Sequence, residues 1–154
     1  MDAEAERATT PASPILTGLA IAYVLGVLAI TLLPAPWPAA TAESPGGVLS
    51  IANWLDPDTW THGSVPEFAL NILLFVPIGL IAVRFLRSWW LRILGPLALT
   101  FMIESLQLPL PDRISDPRDI VANMVGALIG ILAMWVVLAY RRDRESDPDR
   151  VALH

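Results

Sequence analysis

The stretch "ESLQLPLPDRISDPRDIVAN", Glu104 to Asn123, decides how this chain folds, because it sets Glu104, Gln107, Arg113, Arg118 and three aspartates between two long apolar runs. The run before it opens at Trp89-Trp90, a pair that suits an interfacial aromatic belt, and reaches Leu108 with Glu104 inside it. The run after it, Ile120 to Tyr140, holds no charged residue and ends in "RRDR". Prolines at 109, 111 and 117 close the first run and open the second, so the stretch reads as a tight turn joining two helices.

Two more apolar runs lie upstream. The first, Ile15 to Leu33, has no charge and stops at "PAPWP", whose three prolines prevent the helix from continuing. The second, Glu67 to Leu86, contains Asn71 and Pro77. Each of the four is long enough to cross ~30 Å of hydrocarbon at ~1.5 Å per residue. Composition agrees: mean hydropathy is +0.56 over 154 residues, and only 16% are charged. The expected fold is therefore all-α, a polytopic membrane bundle of four transmembrane helices.

Arginine placement predicts its orientation. Arg84, Arg87 and Arg92 lie between the second and third segments, and Arg141, Arg142, Arg144 and Arg150 follow the fourth, whereas the link between the first and second carries no Arg or Lys. By the positive-inside rule both termini are cytoplasmic, and the loops at about 35–65 and 109–118 face outward. Residues 1–13 form a short cytoplasmic segment, 14–140 the membrane domain, and 141–154 a disordered tail. A signal peptide is disfavoured: the first run exceeds an h-region of ~7–15 residues and "MDAEAER" is acidic, although "ATA" at 40–42 has the look of a cleavage site. In the first outer loop, "WLDPDTW" reads either as an amphipathic segment anchored by Trp54 and Trp60 or as an irregular loop.

Composition also excludes function classes. A net charge of −5 with dispersed arginines leaves no footprint for nucleic acid. With no cysteine, and with only His62 and His154 as histidines, neither a thiolate site nor a typical zinc motif can form, so no metal or cofactor is expected. Chemistry falls to carboxylates, amides, Arg and hydroxyls.

Threading the four segments brings those groups to one depth. Glu67 and Asn71, Glu104 and Gln107 with Thr100 a turn below, and Asp119 and Asn123 each share a helix face near the outer end. Such groups within a membrane span normally face the bundle interior or a wet cavity. Some have simple structural readings. Ser64 and Glu67 match a capping box, Asp116 and Pro117 a helix start, and Asp119 the positive end of a dipole. Asn71, Gln107 and Asn123 suit interhelical hydrogen bonds. Glu104 resists such a reading, since it sits near the C-terminal end of its helix, where a carboxylate is disfavoured, and Arg113 is the nearest base in sequence to pair with it. Asp119, Asn123, Gly126, Gly130 and Ala133 continue along one face as a small-residue seam, expected to pack within the bundle rather than dimerise.

Together, "EFALNILLFVPIGL" at 67–80, "ESLQ" at 104–107, Arg113 and "DPRDIVANMVGALIG" at 116–130 resemble the VanZ-like family of bacterial multi-pass membrane proteins. The match is best over 65–135. The resemblance places the family's characteristic polar positions at Asn71, Glu104, Gln107, Arg113, Asp116, Asp119 and Asn123, and implies a role connected with the cell envelope or with resistance to the glycopeptide teicoplanin. Three readings follow. The first is an accessory envelope protein whose outward pocket, lined by Asn71, Glu104, Gln107, Arg113, Asp119 and Asn123, binds a lipid-linked envelope compound or a glycopeptide. The second is an intramembrane enzyme acting on a lipid-linked precursor, with Glu104 as general acid or base and Asp119 as its partner. In the third the polar cluster only locks the bundle.

Overall fold

A computed structural model describes residues 13–33, 46–61, 63–111 and 113–145. Among them every regular element is helical: α1 (Pro14–Leu32), a 3-10 turn (Gly47–Leu49), α2 (Ile51–Leu55), α3 (Pro57–Thr61), α4 (Val65–Phe85), α5 (Trp89–Gln107) and α6 (Pro117–Glu145). Helix α6 extends past the expected end at Tyr140, so residues 141–145 are helical. The rest of the expected tail, the "ATA" site and residues 1–12 lie outside the described residues.

Local chemistry sets the helix starts. Ser13 Oγ accepts from Leu16 N and Ser64 Oγ from Glu67 N, each just ahead of a proline in the first turn. Asp116 caps α6, its carboxylate accepting from Arg118 N at 2.8 Å, with Pro117 at the first helical position.

Three helices, α1, α4 and the Pro117–Arg144 part of α6, are long and apolar enough to cross a membrane. Helix α5 has 19 residues, but Arg92, Thr100, Glu104 and Gln107 dilute its hydropathy. Leu19, Leu25 and Ile30 of α1 and Val136 of α6 are more than half exposed, which suits lipid rather than water as the surrounding solvent.

The centre of the bundle is the α4–α6 pair. A Cβ at Gly126 would lie 2.1 Å from Ile72 O, one at Gly130 2.0 Å from Val76 O, and one at Gly79 2.0 Å from Ala127 O. Only glycine allows backbones this close. Residues 72 and 76 meet residues 126 and 130 in the same order, so α4 and α6 run parallel. Further along the expected seam Ala133 is exposed, so the close packing does not extend to it. Val27, Phe75, Ile78, Ile103 and Ala127 form a core joining α1, α4, α5 and α6. Tyr23 of α1 adds an O–H donated to Leu74 O at 2.8 Å, near the carbonyls loosened by Pro77.

Residues 46–61 do not form one amphipathic helix. Two single-turn helices fold onto the polar end of the bundle. Trp54 donates its indole N–H to Val48 O at 2.9 Å, and Trp60 donates to Trp54 O at 3.2 Å. Gly47 has φ +45°, and a Cβ there would meet Leu108 and Ser115 at 2.6 Å.

Candidate functional site

The polar residues do gather at one end of the bundle, but their partners are mostly backbone groups at helix ends. Glu104 is 2% exposed, and its Oε2 accepts from Asp116 N at 3.0 Å. That N–H belongs to the cap residue of α6, one of the donors a helix start leaves without an intrahelical partner. Glu104 thus lies at an unfavourable end of its own helix but at the favourable, positive end of α6. Ser115, Asp116 and Asp119 are its polar neighbours. Ser115 Oγ in turn accepts from Val48 N at 3.3 Å, tying the outer segment to the same point.

Arg113, expected to pair with Glu104, turns away to α1. Its Nη2 donates to Ile30 O at 2.7 Å and also to Leu33 O, and its Nε donates to Leu33 O at 3.2 Å. Gln107 Nε2 donates to Thr31 O at 3.0 Å. Together they cap the C-terminal turn of α1, whose carbonyls have no intrahelical donors and carry the negative end of the dipole. The guanidinium there meets two carbonyls, those of Ile30 and Leu33, in place of a carboxylate.

Asn123 Nδ2 donates to Thr100 Oγ1 at 2.8 Å, joining α6 to α5 with both side chains buried. The amide oxygens of Gln107 and Asn123 have no protein donor among the described residues.

Asp119 of α6 and Asn71 of α4 form the remaining polar pair. Both are half-buried, and the Asn71 amide faces the Asp119 carboxylate, with Asp116, Glu67 and Arg118 as further charged neighbours. Arg118 lies 5.6 Å from the centroid of the Phe68 ring, a cation–π distance. It is also packed so tightly on Gly63 that a Cβ at that position would overlap its guanidinium. No group of three or more His, Asp or Glu side chains among the described residues is arranged to hold a metal ion.

The sequence model of the VanZ/LLP1 family matches residues 20–138. The chain belongs to that family. No curated protein and no solved structure matches it. The matched region of this VanZ/LLP1 protein contains the whole polar end of the bundle, from the last turn of α1 to Asn123.

The six residues expected to line a pocket therefore divide into three sets. Gln107 and Arg113 cap the end of α1 and Asn123 bonds across to α5, Glu104 holds the start of α6, and Asn71 and Asp119 face each other. Arg118 and Ser115 were not singled out from sequence. Arg118 was visible as one of two outward arginines in a "DPRD" helix start, whereas Ser115, the residue before a cap, carries no comparable signal.

Proposed function

We propose that this VanZ/LLP1 protein is an accessory component of the bacterial cell envelope, a four-span membrane protein with cytoplasmic termini. Its outward polar pocket binds a polar envelope compound or a glycopeptide of the teicoplanin type without chemical turnover. The parallel register of α4 and α6 supports the fourth span, because the chain between Phe85 and Pro117 must return through the thickness it has just crossed. Helix α5 is long enough to do so at ~1.5 Å per residue.

The observation that carries the binding reading is the half-buried trio of Asp119, Asn71 and Arg118 at the polar end. It offers a carboxylate, an amide and a guanidinium side by side, a set that suits a ligand bearing both an amine and a carboxylate. Glu104 lies beneath it, and Gln107, Arg113 and Asn123 hold the walls through their helix-end and interhelical bonds. To test this, Asp119→Asn and Asn71→Ala variants are scored in the same cells for membrane abundance and for sensitivity to envelope-directed antibiotics, and the purified proteins are titrated with teicoplanin. Normal abundance with lost protection and weakened binding is expected; parental protection and binding in both variants would sink the reading.

A second reading is favoured by one feature, the closeness of Glu104 and Asp119, which would suit acid–base work on a lipid-linked precursor. Against it, Glu104 is already committed to Asp116 N. Incubating the protein with labelled envelope lipids and finding product that disappears in Glu104→Gln would decide for the enzyme.

A further inference from the structure

At the opposite end of the bundle from this site, a cavity of about 300 Å³ opens between α5 and α6, lined by Arg92, Trp135, Leu138, Ala139 and Arg142. Four of the five lie at positions i, i+3, i+4 and i+7 of α6, so they form one continuous stripe. Along that stripe the chemistry changes in one direction. Trp135 and Leu138 are 45% and 40% exposed apolar side chains within the span, and Arg142 lies about 10 Å further on at ~1.5 Å per residue.

Arg92 reaches the same cavity from the first turns of α5. Its Nε donates to Leu86 O at 2.9 Å, which fixes the guanidinium plane and leaves its terminal nitrogens with no hydrogen-bond acceptor among the described residues. Arg142 is exposed. Two guanidiniums at one end of an apolar stripe are complementary to a phosphodiester joined to an acyl chain.

We infer that this cavity is a binding site for one anionic phospholipid, with the phosphate between Arg92 and Arg142 and an acyl chain along Trp135 and Leu138. A free anion would use the arginines but leave the apolar stripe uncovered. A zwitterionic lipid would cover the stripe but bring its own cation to the arginines. The volume lies at the lower end of the ~300–1,000 Å³ usual for ligand pockets, enough for a headgroup and the first part of a chain. This inference rests on the chain's residence in a membrane and not on the ligand proposed at the outer end, and its failure would leave that proposal untouched.

The test is native mass spectrometry of the full chain in a non-ionic detergent, offered equal amounts of phosphatidylglycerol and phosphatidylcholine. The parent should retain phosphatidylglycerol preferentially, and Arg92→Gln and Arg142→Gln should each lower that preference roughly fivefold. Arg84→Gln should change nothing, since the Arg84 guanidinium lies over the Phe85 ring and outside the cavity. Because Arg142 is exposed, its variant keeps the test meaningful if Arg92→Gln folds poorly. Equal retention of the two lipids by the parent, an unchanged preference in Arg142→Gln, an equal loss in Arg84→Gln, or displacement of the lipid by excess inorganic phosphate would each overturn the assignment.

Discussion

At the residue scale, the polar end of the bundle is governed by unpaired backbone groups. Removing Arg113 strips the donors from Ile30 O and Leu33 O at the end of α1. Arg113→Ala is expected to lower stability by about 0.5–1.5 kcal/mol, the net range for a hydrogen bond whose groups stay accessible, read as a lower midpoint in thermal unfolding of the detergent-solubilised protein. Glu104 allows a sharper comparison. Glu104→Gln keeps an oxygen for Asp116 N, whereas Glu104→Leu removes it. The Gln variant should therefore lose less than ~1 kcal/mol and the Leu variant about 1–3 kcal/mol. Equal losses in the two would mean that the hydrogen bond to the α6 cap is not what holds Glu104 in place. For Thr100 and Asn123, a double-mutant cycle to Val and Leu should give a coupling of about 0.6 kcal/mol and at most ~1.7, as for other hydrogen bonds between membrane helices.

At the element scale, the α4–α6 contact depends on the absence of side chains. Gly130→Ala sets a methyl group 2.0 Å from Val76 O, a backbone atom that can move only if the helices separate. A loss of about 1–3 kcal/mol is expected, with reduced accumulation in the membrane. Gly18 and Gly26 of α1 supply the control, since nothing lies within 4 Å of a Cβ at either. Alanine there should be neutral or stabilising by up to ~1 kcal/mol through helix propensity alone. Should Gly130→Ala behave like these two, the packing seen at residues 72–80 and 126–130 would be wrong.

At the scale of the whole molecule, the parallel register of α4 and α6 is what supports the proposed fourth span, since two parallel spans need a passage between them and α5 is the helix proposed for it. Since the protein has no native cysteine, single cysteines are clean reporters. Cysteines at Ser88 and Leu110 should react with an impermeant maleimide from opposite sides of the membrane, Ser88 from the cytoplasm. Labelling of both from one side would remove the fourth span.

Much of this was legible in the sequence, for identifiable reasons. Apolar runs between proline-marked ends located the four long helices to within a few residues, because helix length and hydrophobicity are local properties. The spacing of Glu104, Asn123 and their neighbours placed the polar groups at one depth, because a helix converts sequence distance into height. Partnership was not legible. Nothing local says where the end of α1 comes to rest, since its run carries no charge and only Thr17, Tyr23 and Thr31 as polar side chains, so the capture of its carbonyls by Gln107 and Arg113 could not be foreseen. Glu104 met the start of α6 rather than Arg113 for the same reason: the strongest partners in a dry interior are backbone groups left over at helix ends, and only the packing of the helices brings those ends within reach.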